Sequence, residues 1–320
     1  MQHESDLRIG PPEPGLEAEA LELAFAELDP EERAQQIAFF HRLAGPANRP
    51  PQGPYVATRS GRLVGAIYWQ LQPGKAGTIW PPGLRAGGQV AAGELVRAAC
   101  ESLAHHGAQI VQCLLRPGSQ AAGERLEAAG FDHLAELYYM VSLPADFPQS
   151  PPSTPLVFEP YTPEAHARFA AVLAATYKGT QDCPRLNGVR AIDDVLAGYQ
   201  ASGDFDPARW LLVRGVALAS RQCAPGGDPV RDVGCLILAD YPNQGNYELV
   251  YMGLLPEVRG NRWGAVIARY AQWRARAAGR ERLVLAVDAS NQPALAMYSR
   301  VGFRVWDRRS VWVRIFARPT

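Results

Sequence analysis

The sequence predicts two tandem α/β domains, each a sheet of hairpin-connected strands flanked by helices. Three observations carry this expectation. The chain has 320 residues, beyond the length that one hydrophobic core usually serves. Residues 144–155 hold five prolines in twelve positions, and the order of elements restarts after them. A single offset of 172 maps Gly279 onto Gly107 and Gly302-Phe303 onto Gly130-Phe131, the mark of two copies of one fold. The expected division is therefore 1–143, a semi-rigid extended linker at 144–155, and 156–320.

In the first copy, residues 1–15 are polar and rich in Pro and Gly, and read as a loose lead-in. Apolar residues recur at helical spacing over 17–43, broken at Asp29-Pro30, where Asp29 can cap a second helix. A loop at 49–52 precedes a hairpin of 55–58 and 63–71 turned at Ser60-Gly61. A short strand at 78–80, a Pro/Gly-rich loop at 81–88, a helix at 90–106, a strand at 109–115, a helix at 119–129 and a strand at 133–143 complete the copy. In the second copy a strand at 156–159 leads to helices at 163–177 and 192–200, with a loop at 178–188 between them. A hairpin-like pair, 210–219 and 232–239, precedes the strand 247–255. A helix follows from Trp263, then a strand at 281–287 and a further helix before Gly302.

Composition narrows the function. Hydrophobic residues at 47% and charged residues at 20% describe a globular chain. The 32 basic residues balance 32 acidic ones, which removes any global electrostatic argument for nucleic acid or an anionic membrane. The five cysteines (Cys100, Cys113, Cys183, Cys223, Cys235) are scattered, with no Cys-x-x-Cys pair. That pattern argues for a reducing compartment and against a disulfide framework or a zinc site. The start of the chain lacks a basic stretch followed by an apolar core, and no segment approaches ~18 uninterrupted apolar residues. A cytoplasmic location is the expectation.

The most informative stretch runs from Tyr247 to Gly264: Tyr-Glu-Leu-Val-Tyr-Met-Gly-Leu-Leu-Pro-Glu-Val-Arg-Gly-Asn-Arg-Trp-Gly. A strand meets Pro256, then a short Arg/Gly/Asn loop, then a long helix. Unpaired amides and the positive end of the helix dipole suit a phosphate there. Further on stands Asn291-x6-Tyr298-x3-Gly302-Phe303. Together the two stretches resemble the GCN5-related N-acetyltransferase (GNAT) superfamily, whose loop reads Arg/Gln-x-x-Gly-x-Gly/Ala. Arg259 and Gly264 match that loop, whereas Arg262 occupies the place of its middle glycine. If Arg262 lies within the helix it can keep right-handed dihedrals and still donate its N–H.

The resemblance implies a mixed, mostly antiparallel sheet in each copy, in tandem members similar to mycothiol synthase-like enzymes. It implies acetyl-CoA as cosubstrate and direct transfer to a primary amine, of a small molecule or of a protein or peptide. By resemblance, residues 258–264 (Val258, Arg259, Gly260, Asn261, Arg262, Trp263, Gly264) would cradle the pyrophosphate. Met252, Gly253 and Leu254 would meet the pantetheine arm through their backbone, and Asn291 would bond cofactor or cap its helix. A non-catalytic acyl-CoA-binding module is the alternative.

Acetyl transfer needs reactants held in attack geometry, contributing ~7–11 kcal/mol, together with a base, an oxyanion donor and an acid for the thiolate. Tyr298 is the candidate acid: a phenol of pKa about 10 can donate to a thiolate of about 8.5. Glu248 is the candidate base, at the spacing before Arg259 used by histone-acetylating members. Period-two alternation puts it on one face with Val250, Met252 and Leu254, an apolar setting that would raise its pKa. Tyr177 and Asp182 fall where the superfamily builds its acceptor side, and Asp182 could hold the substrate ammonium. Cys183 reads as an idle thiol. The arginines on and after the long helix (Arg269, Arg274, Arg276, Arg280, Arg282) read as a solvated face. In the first copy Ser119 and Leu126 replace Asn291 and Tyr298, so that copy reads as structural or as shaping the substrate groove, with retention of a cofactor molecule as the alternative.

Overall fold

The computed structural model describes residues 6–43, 52–216 and 230–316. The loop expected at 49–51, the extension of a strand to 219, and Cys223 lie outside the described residues. Thirteen strands and eight α-helices are formed among the described residues. Contacts divide the chain into two units, residues 1–134 with 310–320, and residues 135–309.

In the first unit β1 (Leu7–Gly10), β2 (Gln52–Arg59), β3 (Arg62–Gln72), β4 (Ala76–Ile79) and β6 (Ile110–Leu115) pair in that order, with β5 (Gly83–Leu84) against β3. Only β4 and β6 run parallel. Helices α1 (Glu17–Ala24) and α2 (Pro30–Leu43) cover one sheet face, while α3 (Ala91–His105) and α4 (Gln120–Ala128) cover the other. Alternation along β3 explains this: Ala66 and Tyr68 enter one core, Ile67 and Trp69 the other. Asp29 caps α2 as expected, its Oδ1 accepting the Glu31 and Glu32 amides. The lead-in is not loose throughout, because Leu7–Gly10 forms an antiparallel ladder with β2.

The second unit repeats the plan. Strands β8 (Val157–Pro160), β9 (Trp210–Val216), β10 (Val230–Tyr241), β11 (Asn246–Leu254) and β12 (Arg282–Asp288) pair in sequence, with only β11 and β12 parallel. Helices α5 (His166–Thr176) and α6 (Ile192–Gln200) pack on one face. Helices α7 (Trp263–Ala277) and α8 (Gln292–Arg300) pack on the other. The offset of 172 carries α7 onto α3 and α8 onto α4 end for end. Ile267, Ala268, Ala271 and Ala275 of α7 fall on Leu95, Val96, Ala99 and Leu103 of α3, and all eight are buried. One core position differs in kind. Gln272 stands where α3 has Cys100, and its Nε2 donates to Ser142 Oγ at 2.8 Å and Val301 O at 2.7 Å.

Each sheet is completed by a strand from the other repeat. Residues 137–142 of β7 (Asp132–Ser142) pair with β12 in the second unit. Residues 310–315 at the end of β13 (Arg304–Ile315) pair with β6 in the first. Segment 144–155 belongs to the second unit, where Phe147 enters the core and Asp146 packs closely on Gly302. None of the described helices is long and apolar enough to cross a membrane.

Trp312 of β13 lies over Gly123 of α4, where an added Cβ would stand 2.8 Å from the indole. Trp312→Ala is expected to cost ~3 kcal/mol of first-unit stability, the low end for such truncations because the ring is half-buried. Urea unfolding of the full chain measures this.

Candidate acyl-transfer site

The site grows from a strand pair that stops. Parallel pairing of β11 with β12 covers Asn246, Tyr247 and Glu248 against Arg282, Leu283 and Val284, and no further. Beyond that point β11 keeps its β10 neighbour and β12 keeps β7. The edges of β11 and β12 that would face each other have parted. A cavity of about 370 Å³ lies here, lined by residues 249–254 of β11 and by Ala286 and Val287 of β12. Thr176, Gly179 and Asp182 wall it on one side, Asn291 and Tyr298 on another.

A β-bulge redirects β11 within this wall. Ile237 faces Tyr251 while its neighbour Leu238 faces Leu249, so Val250 is an extra residue on β11. Side-chain alternation therefore changes phase at Val250. Tyr247, Leu249, Met252 and Leu254 pack toward α7, and Tyr251 toward α5 and α6. Glu248 consequently shares a face with Tyr251, not with Met252 and Leu254 as unbroken alternation predicts. Glu248 does not line the cavity. It is half-buried, accepts a hydrogen bond from the Tyr241 hydroxyl, and burial raises its pKa above the ordinary carboxylate range.

Gly253 is required by its neighbours: a Cβ there would stand 2.6 Å from Thr176 Oγ1 and 2.7 Å from the Tyr251 hydroxyl. Those groups are hydrogen-bonded to each other at 2.7 Å, and Thr176 Oγ1 also donates to Leu173 O at 2.6 Å. The close approach that this glycine permits is thus made by protein.

The loop before α7 offers a row of amides. Val258 and Arg259 N–H are taken by Leu255 O and Pro256 O. Among the described residues, the amides of Gly260, Asn261, Arg262, Trp263 and Gly264 have no protein acceptor. Two of the seven expected cradle amides are therefore occupied, and five stand at the positive end of a fifteen-residue helix. A Cβ on Gly264 would meet nothing nearer than Met297 at 3.8 Å, so no protein neighbour demands the glycine. Both features fit a diphosphate. Asn261 steadies the loop by donating to Val258 O at 3.0 Å. Trp263 is buried in the core and contributes only its backbone. Arg262 is not inside the helix with right-handed dihedrals. It is the cap, at φ 60° and ψ 9°, a left-handed conformation that costs a non-glycine residue about 1–2 kcal/mol. A conformation that glycine adopts without strain is thus held here by an arginine.

In the corresponding loop of the first unit three of the five amides are taken by protein. Gly88, Ala91 and Ala92 fall on Gly260, Trp263 and Gly264, and their amides bond Arg85 O, Gly88 O and Gln89 O. Val90, at the place of Arg262, has right-handed dihedrals, and Leu126, at the place of Tyr298, is core.

Tyr298 is 6% exposed, with its ring edge-on to Phe303 at 5.3 Å. Its hydroxyl has no protein partner among the described residues. Burial, reinforced by Asp182, pushes the phenol pKa upward and keeps it protonated through the neutral range. Asn291 caps α8, its Oδ1 accepting Ala294 N–H at 3.3 Å. It lines the cavity as well, so both of its expected roles are open to it.

Asp182 is bound into the cavity wall: its Oδ1 accepts Asp288 N–H at 2.8 Å, and Asp288 Oδ2 accepts Cys183 N–H at 3.2 Å. Its carboxyl is raised, by the protein packed around it and by the Asp288 charge, although water reaches it through the cavity. Cys183 is pushed up to about 12 by burial and adjoining carboxylates, an inert thiol. Tyr177 does not line this cavity. It faces a neighbouring one beside Asn187 and Arg190, with its hydroxyl 3.1 Å from that of Tyr199. Part of the expected arginine face is structural: Arg280 grips buried Asp240 bidentately, Arg274 donates to Ala208 O and Arg282 to Gln244 O. Asp288 was missed from sequence, though a carboxylate ending the apolar run Leu-Val-Leu-Ala-Val was a signal.

Residues 230–303 match the acetyltransferase (GNAT) family. No curated protein sequence matches the chain. Among solved structures, a GCN5-related N-acetyltransferase from Sphaerobacter thermophilus is similar over 97% of this chain and 95% of that one, at 18% identity and TM-score 0.62. The GCN5-related glucosamine N-acetyltransferase region of a fungal multi-domain β-N-acetylglucosaminidase is similar over 96% of this chain and 38% of that one, at 15% identity and TM-score 0.61. A tandem GNAT protein from the clavulanic acid biosynthesis pathway is similar over 98% and 100%, at 14% identity and TM-score 0.52. The fold is one that supports acyl-CoA-dependent N-acetyltransferases in general. The chain is a tandem GNAT-fold protein, and the segment that matches the family, residues 230–303, is the one that builds the parted strands, the amide loop and the tyrosine wall.

Proposed function

We infer that the second unit transfers an acetyl group from acetyl-CoA directly to a primary amine. One observation carries the reading: the cavity where β11 leaves β12 is bounded by Tyr298 and lies beside the acceptor-free amides at the head of α7. Those amides, from Gly260 to Gly264, hold the diphosphate. The edge of β11 at Met252 to Leu254, where Leu254 O also accepts from Arg259 Nε, receives the pantetheine amides in place of the missing strand and polarises the thioester carbonyl.

Asp182 receives the substrate ammonium at the cavity wall. Glu248 removes its proton from the adjoining face, through water because the side chain stands off the wall. The Tyr298 hydroxyl has no protein acceptor and donates to the departing thiolate. The same burial that raises the phenol raises a thiolate in that cavity, so the two remain close enough in pKa for transfer. The first unit, with three of its five corresponding loop amides occupied and Leu126 in place of Tyr298, serves as structure. The protein acts on a small amine in this reading. A non-catalytic acyl-CoA-binding role is favoured by the place of Glu248 outside the cavity lining. Thiol release from acetyl-CoA over a panel of small amines separates the two readings: release with any amine supports transfer, and CoA retention without release supports the rival.

Tyr298→Phe is expected to lower turnover by ~10²–10⁴ while leaving CoA retention unchanged; unchanged turnover removes the acid assignment. Glu248 generates a linked expectation in pH. A carboxyl raised by folding contributes full stability below its unfolded pKa, and that contribution is lost as pH rises through the folded value. Glu248→Gln should match the native chain in melting temperature near pH 4, exceed it near pH 8, and lose the rising limb of the rate–pH profile. Melting curves at both pH values and the profile over the same range test this.

A further inference from the structure

The guanidinium of Arg259 is occupied by protein. Nε donates to Leu254 O at 3.1 Å, Nη1 to Gly179 O at 2.9 Å and Nη2 to Thr176 O at 2.7 Å. These carbonyls belong to the end of β11, the loop after α5, and the last residue of α5. Thr176 O is one of the groups that a helix leaves without an intrahelical donor at its C-terminus, where a cation also meets the negative end of the dipole. The loop is pinned a second time by the paired bonds of Asp182 and Cys183 with Asp288. Between the pins, Thr180, Gln181 and Asp182 form cavity wall. Two left-handed residues, Gly179 at φ 65° and Cys183 at φ 43°, flank this piece, so its shape depends on the pins more than on local preference.

Arg259 also stands immediately before the acceptor-free amides at Gly260 to Gly264. One side chain therefore ties the approach to α7 to the wall that faces an acceptor. We propose that Arg259 is a positioning residue coupling acyl-CoA binding to the order of residues 177–183, so that the acceptor side is assembled on the cofactor-loaded protein. The proposal rests on the reading that the amides from Gly260 to Gly264 hold the CoA diphosphate. Its physical basis is shared ordering: a ligand that immobilises residues 259–264 fixes the root of the Arg259 side chain, and the loop then has less entropy to lose. The coupling is reciprocal, so an acceptor bound to the wall tightens CoA. Neither the acyl group nor an acceptor is needed to observe it.

Amide hydrogen exchange of the full-length chain with and without unacylated CoA tests this, in the native protein, R259Q and R259K. In the native protein CoA slows exchange at residues 260–264, and slows it about tenfold at residues 180–183, within the usual range of such couplings. In R259K, which keeps the charge but cannot span three carbonyls, the first slowing persists and the second is lost; R259Q behaves alike. An Arg259 that only supports the fold would speed exchange at 180–183 equally in both conditions, leaving the CoA-dependent ratio intact, and that result overturns the proposal. Slowing at 260–264 alone in the native protein overturns the coupling and spares the cofactor reading. Slowing at neither stretch removes both. If R259Q does not fold, R259K and the native comparison still decide.

Discussion

The site depends on a hydrogen-bond ladder that ends early. β11 and β12 share three residue pairs and then separate, each still held on its other edge. Backbone groups on a sheet edge must find partners or stay in water. Parting two strands inside a sheet is costly unless something else takes the edge. Here the divergence opens a cavity, and every feature with chemical potential borders or adjoins it: the bulge at Val250, the wall from Thr176 to Asp182, the helix head at Arg262 and the phenol of Tyr298. The glycine at 253 lets the Thr176 and Tyr251 hydroxyls, bonded to each other, close on the other side of the parted strand.

Electrostatics follow from the same opening. Two carboxyls, Asp182 and Glu248, are raised in pKa by the protein packed around them, while the head of α7 presents amides without a protein acceptor. Burial disfavours the charged form of both carboxyls, whereas the helix dipole adds positive potential at those amides.

Much of this was legible in the sequence because the repeat is strict. α7 and α3 align without a gap and share six buried positions, so register could be read from Gly279 on Gly107 together with Gly302-Phe303 on Gly130-Phe131. What failed to show has a physical reason in each case. A bulge leaves no mark on alternation, so the face of Glu248 came out wrong beyond Val250. Leu7–Gly10 is a strand because β2 offers it an edge, and four residues beside Pro and Gly carry no periodic signal of their own. Arg262 takes a glycine's left-handed dihedrals because the loop geometry is imposed from both sides, and a residue type cannot announce that. The Arg259 side chain was read with the cofactor loop, whereas its partners lie some eighty residues upstream, a distance that only the fold closes.

The borrowed strands bear on how such a protein can be taken apart. A gene cut within the proline-rich segment would encode two fragments, each lacking a sheet member that the other carries. The upstream piece would leave β6 with a bare flank, and the downstream piece would do the same to β12. Each copy taken alone would therefore present an unpaired sheet edge that the intact chain covers.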